Sequence, residues 1–400
     1  MSGRLLQLDV ENFRSLQKVS LPLGPLTVLV GPNGVGKTNV LKVFGFLAEI
    51  IRTDLGPALE AQGGFDEVAF WGGKQQPRAL KIGITADWTT HASHGAPDVY
   101  ELTVNRRAHP GDSRRYILSR QERFQFKRTS GRGRRITISG ERATVTDSRS
   151  SRDAEEREIG IQRLSSGLST LPRLGRADGG AEVATVAARL SSFRVFDVQV
   201  SAARLPVRAA DSRALAGDAS NMAAFLQRLS RDADLWTAFV SDAKAALPQL
   251  EDISFRLLGG AAEDVTIMLH EKGLRRATPL ADASYGTVRL LGLLALLYDQ
   301  DPPALTCVEE IDHGLHPQAL ELLVDRLREA SRRSQYLVAT HSPALVDRLR
   351  PEEFVVCERD DNGASQIPAI STDHVREIVR ASEDLPLGEL WFSGALGGDL

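Results

Sequence analysis

The segment GPNGVGKT, residues 31–38, constrains the fold more than any other stretch of the sequence. The apolar run LTVLV precedes it, and a helical pattern of apolar residues from Val40 to Leu47 follows it. Strand, glycine-rich loop and helix in this order are typical of a phosphate-binding loop, because the loop N–H groups and the positive end of the helix dipole surround one anion. The alternative is an ordinary tight turn. We favour the loop, which predicts a nucleoside-triphosphate site.

Each residue type in this loop suits a separate part of a triphosphate. Lys37 would reach oxygens of the β- and γ-phosphates as a positive charge, and the Thr38 hydroxyl would hold Mg²⁺. The other predicted nucleotide-binding residues of the loop are Asn33, Gly34, Val35, Gly36 and Asn39.

The composition is that of an ordinary globular protein of two or three domains, with 400 residues, 42% hydrophobic and 25% charged. The net charge of −3 gives no general electrostatic reason to expect nucleic acid, so such a contact would have to be local. Cys307 and Cys357 lie in apolar runs, which predicts core residues rather than a disulfide or metal ligands. Because no apolar stretch approaches the length of a membrane span, we expect a cytoplasmic protein.

The first part of the chain is rich in strand patterns. Alternating apolar residues predict two short strands joined by a turn at residues 12–15. Further strands are predicted at 80–86, 99–104, 116–119, 124–127, 136–138 and 143–146, with polar turns between them. This arrangement indicates an antiparallel β-meander.

The middle of the chain reads as mainly helical. The polar run 147–157 predicts a loop or a frayed helix start, and residues 194–200 predict a strand. Helices are predicted at 159–174, 181–193, 221–229 and 235–247.

The last third alternates strands with helices. Apolar strands at 304–308, 336–339 and 353–357 are separated by helical patterns, which indicates a mostly parallel sheet. The predicted fold class is therefore α/β, a mixed β-sheet with an N-terminal antiparallel meander and a helical insertion. We expect three segments, an N-terminal lobe (1–150), a helical insertion or lid (151–250) and a C-terminal lobe (251–400).

The meander is locally basic, and this has two interpretations. The cations could blunt the exposed edges of a solvated sheet, or they could follow the phosphates of DNA or RNA across the 106–142 region. Thin interleaving with aromatic residues favours the first interpretation and leaves the second open. The basic residues are Arg106, Arg107, Arg114, Arg115, Arg120, Arg123, Lys127, Arg128, Arg132, Arg134, Arg135 and Arg142.

Hydrolysis of a triphosphate needs a carboxylate at the end of a neighbouring strand. The segment LTCVEEID supplies two after a buried strand, and we assign Glu309 to the magnesium shell and Glu310 to the attacking water. Solvated acids at a strand end are the alternative, but two adjacent carboxylates there are costly without a cation. His341 follows the strand at 336–339, and we assign it to sensing the γ-phosphate.

The segment ASYGTVR, residues 283–289, stands at the head of an apolar helix. Ser284 and Gly286 could present a hydroxyl and N–H groups to an anion at this helix N-terminus. The alternative is a helix cap with a tight turn.

The order of GPNGVGKT, ASYGTVRLL, LTCVEEIDHGLHP and ATHSP resembles the ABC-type ATPase heads of the SMC/RecF group. More closely, it resembles the compact bacterial RecF-like and OLD-like predicted ATPases, as do the terminal segments NFRSL and ELWFSGALGG. The resemblance is weakest over about residues 75–235. It implies a P-loop NTPase of the ABC-ATPase head type with ATP and Mg²⁺. It also implies a head-to-tail homodimer that holds two ATP molecules between its heads.

The resemblance also implies roles for residues of the C-terminal third. Ser284, Gly286 and Thr287 match the signature that closes over the nucleotide of another copy, and Glu309 and Glu310 match the Walker B pair.

Other matches and departures concern single positions. His341 matches the switch histidine, which makes Lys37, Glu310 and His341 the expected catalytic set. His316 falls where ABC transporters have the D-loop aspartate. Tyr285 replaces the usual second glycine or aspartate of the signature, and Glu309 replaces the transporters' aspartate. Candidates for the glutamine loop are Gln75 and Gln76, which could equally belong to a surface loop.

The leading hypothesis is an ATPase that acts as a nucleotide-controlled dimeric clamp in DNA repair or anti-phage defence. Without a long heptad repeat it is not expected to be a true SMC protein. Asp360 and Asp361 fit a hairpin turn better than a nuclease metal site, so a separate nuclease or toxin is the expected effector. The alternative is a low-turnover, ATP-bound scaffold that sequesters or regulates an effector protein.

Overall fold

A computed structural model describes residues 3–128, 133–148, 155–175, 179–209, 212–259, 263–382 and 385–397 of the chain. The strands are β1 (Leu5–Phe13), β2 (Leu16–Pro22), β3 (Leu26–Val30), β4 (Ala79–Ala86), β5 (Asp98–His109), β6 (Asp112–Phe126), β7 (Gly133–Ser139), β8 (Arg142–Ser148), β9 (Glu155–Gly160), β10 (Arg194–Phe196), β11 (Val207–Arg208), β12 (Leu250–Leu258), β13 (Asp264–Glu271), β14 (Thr278–Pro279), β15 (Leu305–Glu309), β16 (Gln335–Thr340), β17 (Phe354–Val356), β18 (Glu358–Arg359) and β19 (Ser365–Gln366). The helices are α1 (Lys37–Thr53), α2 (Leu55–Ala61), α3 (Phe65–Val68), α4 (Gly167–Thr170), α5 (Gly180–Ser191), α6 (Val200–Ala203), α7 (Met222–Leu229), α8 (Ala233–Ala246), α9 (Tyr285–Leu297), α10 (Pro317–Ala330), α11 (Pro343–Val346), α12 (Thr372–Ala381) and α13 (Leu387–Phe392). None of the helices within these ranges is both long and apolar enough to cross a membrane.

Eight strands form an antiparallel sheet in the order β2–β1–β4–β5–β6–β7–β8–β9. Alternate residues such as Leu102, Phe124 and Ile136 are buried and share one hydrophobic cluster with residues of α1 and α5. The opposite face carries exposed polar residues. The alternation of apolar and polar residues in the sequence therefore indicates a sheet with one buried face. The predicted meander is confirmed, although the strands predicted at 116–119 and 124–127 are parts of the single strand β6.

Five strands form a wholly parallel sheet in the order β10–β15–β16–β3–β17. Both β3 and β16 are buried along their whole length, as expected for parallel strands that are covered on both faces. Val28 packs in the cluster that contains α9 and α10, whereas its neighbour Leu29 packs in the cluster that contains α1. The carboxyl ends of these strands therefore meet at one edge between helical layers, and the α/β fold class is confirmed.

Two smaller sheets complete the described fold. β12 and β13 form a hairpin, and β11 and β14 both pair with β13. β18 and β19 pair across a turn in which the backbone N–H of Gly363 donates to the carbonyl of Asp360. The predicted hairpin turn at Asp360 and Asp361 is thereby confirmed.

The predictions for residues 147–174 were largely wrong. The predicted loop at 147–157 contains the end of β8 and the start of β9, and the predicted helix at 159–174 is reduced to the short α4 and a turn of 3₁₀ helix at Leu171–Arg173. β9 is the last strand of its sheet, and its glutamates Glu156 and Glu158 are exposed. A charged edge strand lacks the apolar alternation by which a strand is recognised, because edge strands carry charges that discourage further pairing.

The expected division at residues 150 and 250 does not follow the sheets. The middle segment supplies β9 to the antiparallel sheet and β10 to the parallel sheet. The predicted strand at 194–200 is also shorter, since α6 begins at Val200. Residues 151–250 therefore contribute strands to both sheets, and the division into three segments stays a prediction.

The two cysteines occupy the core of the parallel sheet. Cys307 lies in β15 and Cys357 directly follows β17, and both are buried free thiols. Burial raises the pKa of Cys357 to about 12, so this thiol stays protonated at neutral pH. The assignment of both cysteines to the core is confirmed.

Candidate functional site

The loop between β3 and α1 requires glycine at two positions for different reasons. Gly34 and Gly36 have φ values of 85° and 106°, in the left-handed region that favours glycine. A Cβ on Gly34 would meet open space, whereas one on Gly36 would lie 2.1 Å from Ser365 Oγ and 2.6 Å from Ser15 Oγ. Gly36 therefore allows both a backbone conformation and a close approach.

Lys37 is folded back into this loop. Its Nζ donates hydrogen bonds to the carbonyl oxygens of Gly31 (2.6 Å) and Pro32 (2.8 Å). Burial lowers the pKa of Lys37, while the negative charges of Glu310 and Asp312 oppose the shift. The ammonium group is thus held inside the loop, close to the carboxylates at the sheet edge.

Glu309 and Thr38 meet although 271 residues separate them. Thr38, at the start of α1, donates a hydrogen bond from Oγ1 to Oε2 of Glu309, the last residue of β15, at 3.2 Å. Burial raises the pKa of Glu309, and the bond from Thr38 works against that shift. A hydroxyl oxygen beside a carboxylate is the type of donor set that Mg²⁺ accepts, so these residues fit the expected metal.

Glu310 adopts an unusual conformation directly after β15. Its φ of 46° lies in the left-handed region, which is strained for a residue other than glycine. Arg289 of α9, only 3% exposed, donates from Nη2 to the carbonyl oxygens of Glu310 (2.7 Å) and Glu309 (3.2 Å). The buried guanidinium holds the strained turn and leaves the Glu310 side chain 51% exposed at the sheet edge.

One cleft of about 230 Å³ brings together most of the predicted site. It contains loop residues, both glutamates and the histidine after β16, which the sequence predicted to share one edge. Its lining is Asn33, Gly34, Gly36, Lys37, Thr38, Asn39, Lys42, Glu309, Glu310, Ala339 and His341. Val35 of the predicted set is buried and does not line this cleft.

The signature residues lie elsewhere in the chain's own fold. Ser284 caps α9, because its Oγ accepts a hydrogen bond from the N–H of Thr287 at 3.1 Å. Gly286 packs so tightly that a Cβ would lie 2.6 Å from the carbonyl oxygen of Gly314. The helix-cap interpretation of Ser284 is therefore correct, and a role of these residues toward a nucleotide stays a prediction.

A second, larger cleft adjoins the same two glutamates. It is lined by Asp197, Val198, Gln199, Val200, Ser201, Arg204, Tyr285, Arg289, Glu309, Glu310 and His313. The ring of Tyr285 lies against that of His313 at a tilt of 57°, with 5.6 Å between the ring centroids. This cleft joins the head of the signature helix to the end of β10.

Sequence reasoning missed Gln199 and Asp197, which follow β10. Gln199 lines the cleft with Glu309 and Glu310, and Asp197 accepts a hydrogen bond from Arg289 at 3.3 Å. The signal was available, because a strand was predicted at 194–200 and its carboxyl end had to share the edge of the parallel sheet.

The other single-residue candidates lie in different surroundings. Gln75 and Gln76 line a separate cleft formed by residues 66–77, where Gln76 accepts a hydrogen bond from Arg106. Their surface-loop interpretation fits this position. His316 caps α10 by accepting a hydrogen bond from the N–H of Gln318 at 3.3 Å.

The basic residues of the meander are mostly paired with carboxylates. The ion pairs are Arg106–Asp66, Arg115–Asp112, Arg120–Glu122, Arg123–Glu101, Arg128–Asp98, Arg134–Asp147 and Arg142–Glu158. The Arg120–Glu122 pair is fully buried and belongs to the core. Arg132 and the side chain of Arg114 lie outside the described part of the chain. The pairing neutralises much of the positive charge, which favours the first interpretation of the meander.

The fold is that of ATPase heads of the ABC type. Two solved structures share this fold over nearly the whole chain. An Smc head from Pyrococcus furiosus, bound to the C-terminal domain of ScpA, has a TM-score of 0.53 and 14% identity and covers 95% of this chain and 100% of that one. An SmcHead bound to the C-winged helix domain of ScpA has a TM-score of 0.51 and 16% identity and covers 91% and 96%.

The chain belongs to the family described as "AAA domain, putative AbiEii toxin, Type IV TA system", whose model matches residues 26–347. Shorter segments match curated proteins. The OLD nuclease of Thermus scotoductus is 46% identical over 57 residues, which is 14% of this chain and 10% of that protein. The DNA replication and repair protein RecF of Paenarthrobacter aurescens is 51% identical over 47 residues, or 12% of each. The matched segments thus span only about a tenth of these relatives, and they confirm the resemblance to compact RecF-like and OLD-like ABC-type ATPases.

The two loop glycines offer a matched pair of substitutions. Both Gly34→Ala and Gly36→Ala should cost about 1–2 kcal/mol of backbone strain. Gly36→Ala should destabilise further, by about 1–3 kcal/mol, because the new methyl group collides with Ser15 and Ser365. Thermal unfolding of the two nucleotide-free variants measures the difference. Equal melting temperatures would contradict the close packing around Gly36.

The raised pKa of Glu309 predicts a pH-dependent gain in stability for Glu309→Gln. The folded state binds the Glu309 proton more tightly than the unfolded state, so the ionised carboxylate costs stability at neutral pH. At pH 8, Glu309→Gln should therefore raise the melting temperature of the nucleotide-free protein by about 1–3 °C. The gain should disappear as the pH falls toward the ordinary value of 4.5.

Melting curves across this pH range test the expectation for Glu309. The exposed Glu352→Gln is the control and should change nothing. A gain that is the same at pH 8 and pH 5 would contradict the assigned burial of the Glu309 carboxylate.

Proposed function

We propose that this protein binds ATP with Mg²⁺ and hydrolyses it as a nucleotide-controlled dimeric clamp. The observation that carries the proposal is the single cleft that unites Lys37, Thr38, Glu309, Glu310 and His341. These residues come from three distant parts of the chain. Their side chains match the chemical demands of phosphate binding, metal binding and water activation.

The residues divide the chemistry among them. Lys37 and the backbone N–H groups of the loop would bind the β- and γ-phosphates, and Thr38 and Glu309 would hold the metal. When bound, Mg²⁺ supplies positive charge to the phosphate oxygens. Glu310 orients water for in-line attack on the γ-phosphorus and accepts its proton, and His341 donates to a γ-phosphate oxygen.

The proposal includes the closure of two heads because the signature residues of the chain do not line the cleft of its own phosphate loop. Ser284, Gly286 and Thr287 are absent from the lining of the loop cleft within the described residues. A second copy in head-to-tail orientation would bring its signature over the γ-phosphate. ATP would then hold the heads together, and hydrolysis would release them.

We further propose that the clamp works with a separate effector, a nuclease or toxin, in DNA repair or anti-phage defence. The family description, with its toxin and type IV TA system, supports this, as do the partial matches to an OLD nuclease and to RecF. DNA contact through residues 106–142 is the weaker part of the proposal. Most of the arginines there already have carboxylate partners, which a phosphate would have to displace.

A low-turnover scaffold is the second candidate, and the signature favours it. Tyr285 is 44% exposed at the position where a small or acidic residue is usual, and its ring lies tilted against that of His313. A bulky ring there would hinder closure over a partner's nucleotide. In that case ATP would bind and stay, and the chain would hold an effector inactive. Steady-state phosphate release by the wild-type protein separates a scaffold from an ATPase.

Lys37→Ala should abolish ATP binding, because the loop loses its positive charge.

Glu310→Gln should bind ATP normally but hydrolyse it at least about a hundredfold more slowly, since the amide cannot take up a proton. The closed dimer should then accumulate in ATP. Titration calorimetry, phosphate release and light scattering measure the three effects.

The controls are the exposed substitutions Lys244→Ala and Glu352→Gln, which should leave ATP binding and turnover unchanged. Rapid ATP turnover by the Glu310→Gln protein would overturn the assigned role of Glu310.

A further inference from the structure

The segment 357–365, which contains β18 and the turn after it, lies against the phosphate loop. A Cβ on Gly31 would lie 2.3 Å from the carbonyl oxygen of Cys357, and a Cβ on Gly36 would lie 2.1 Å from Ser365 Oγ. Within the described residues, the lining of the loop cleft includes no member of this segment. The segment therefore supports the loop from outside the cleft in which the phosphates would bind.

Arg359 of β18 connects this segment to the loop by hydrogen bonds. Its Nη1 donates to the carbonyl oxygen of Gly34 at 3.2 Å, and its Nε donates to the carbonyl oxygen of Gly363 at 3.1 Å. One guanidinium thus joins the phosphate loop to the turn of the β18–β19 hairpin. A planar guanidinium carries its donors in a fixed geometry, so it holds the two acceptors in a fixed relation to each other.

The bond from Arg359 fixes the orientation of the peptide group between Gly34 and Val35. In a trans peptide the carbonyl and the following N–H point in opposite directions. Because the Gly34 carbonyl accepts from Arg359, the N–H of Val35 points away from the supporting segment. In the described part of the chain, no backbone carbonyl accepts a hydrogen bond from this N–H. It is therefore a donor that an anion in the cleft can use.

The side chain of Val35 restrains the other end of this peptide group. It is buried in the hydrophobic cluster that also contains Cys357 and Ile367. Gly34, by contrast, has a φ of 85° and no Cβ, so rotation about its backbone bonds costs little. Arg359 therefore restrains the end of the peptide group at which the backbone is most free to turn.

A loop that binds phosphate through its N–H groups gains affinity when those groups already face the ligand. Ordering the loop at the moment of binding costs conformational entropy, and a contact that orders it beforehand removes this cost. If the peptide group between Gly34 and Val35 were rotated, it would present a carbonyl oxygen to the phosphates instead of an N–H group. The orientation of this one peptide group thus decides between attraction and repulsion.

We propose that Arg359 is a positioning residue that holds the N–H of Val35 toward the phosphates of the bound nucleotide. The inference rests on the proposed ATP binding, and it adds to that site a residue that follows Gly34 by 325 positions. Arg359 acts through the loop and does not itself touch the nucleotide. Its effect therefore concerns the affinity for phosphates and neither the base nor the chemical step.

Titration calorimetry on the full chain with Mg²⁺ and either ATP or inorganic tripolyphosphate tests this role. Arg359→Ala should weaken the binding of both ligands by about fivefold, because one hydrogen bond is lost, while kcat at saturating ATP stays unchanged. Arg359→Lys should recover most of the affinity, because an ammonium group can still donate to the Gly34 carbonyl. The matched control is Arg376→Ala, which removes an exposed arginine that pairs with Asp373 of its own helix α12 and should change the binding of neither ligand.

Hydrogen–deuterium exchange of the nucleotide-free protein gives a second readout that does not depend on turnover. In Arg359→Ala the amides of residues 34–37 should exchange at least about fivefold faster than in wild type, and bound ATP should remove the difference. The loss of affinity should also persist in about 0.5 M salt, because salt screens the charge of an exposed arginine but does not replace its hydrogen bond.

Three results would contradict the positioning role while the phosphate site stands. The first is unchanged affinity and exchange in Arg359→Ala, and the second is a loss of affinity for ATP but not for tripolyphosphate. The third is a loss that vanishes in high salt, which would assign Arg359 to electrostatic attraction of the ligand. Absence of binding of both ligands to wild type would overturn the proposed function itself.

Discussion

The pairing of β16 with β15 on one side and β3 on the other is the constraint on which the site depends. In this register Ala339 of β16 lies opposite both Leu29 of β3 and Glu309 of β15. The loop after β3, the glutamates after β15 and His341 after β16 must therefore meet at one edge. A shift of one residue in either pairing would turn alternate side chains to the opposite faces and move the carboxylates away from the loop. Helices on both faces keep the strands in this register.

The charged side chains at this edge of the sheet remain there although they cost folding free energy. Burial disfavours both the ammonium of Lys37 and the carboxylate of Glu309, as the directions of their pKa shifts indicate. The strained backbone at Glu310 adds to the cost. Arg289 of α9 offsets part of this cost, because its buried guanidinium donates hydrogen bonds both to the turn after β15 and to Asp197. The same hydrogen bonds connect the signature helix to the backbone of Glu309 and Glu310.

Local sequence was sufficient for the parts of this site that follow a fixed order along the chain. Glycine spacing predicted the loop, and two acids or a histidine after apolar strands predicted Glu309, Glu310 and His341. Gln199 was missed because the strand predicted at 194–200 ran past the end of β10 at Phe196, which placed Gln199 inside the strand and not after it. The ion pairs of the meander were equally hidden, because the partners of its arginines are set by strand register and not by sequence distance. The start of the edge strand β9 was predicted as a loop or a frayed helix start because its residues are mostly charged and show no apolar alternation.

The central claim is that the loop is half of a site and that a second copy of the chain supplies the other half. Cysteine cross-linking tests it directly. Cysteines replacing Ser284 and the exposed Asn33 on separate copies can be mixed and treated with a short thiol cross-linker, while Cys307 and Cys357 are buried and stay unreactive. The account predicts a two-chain product that forms only with ATP. A yield that ATP does not change, or bridging within one chain, would contradict it.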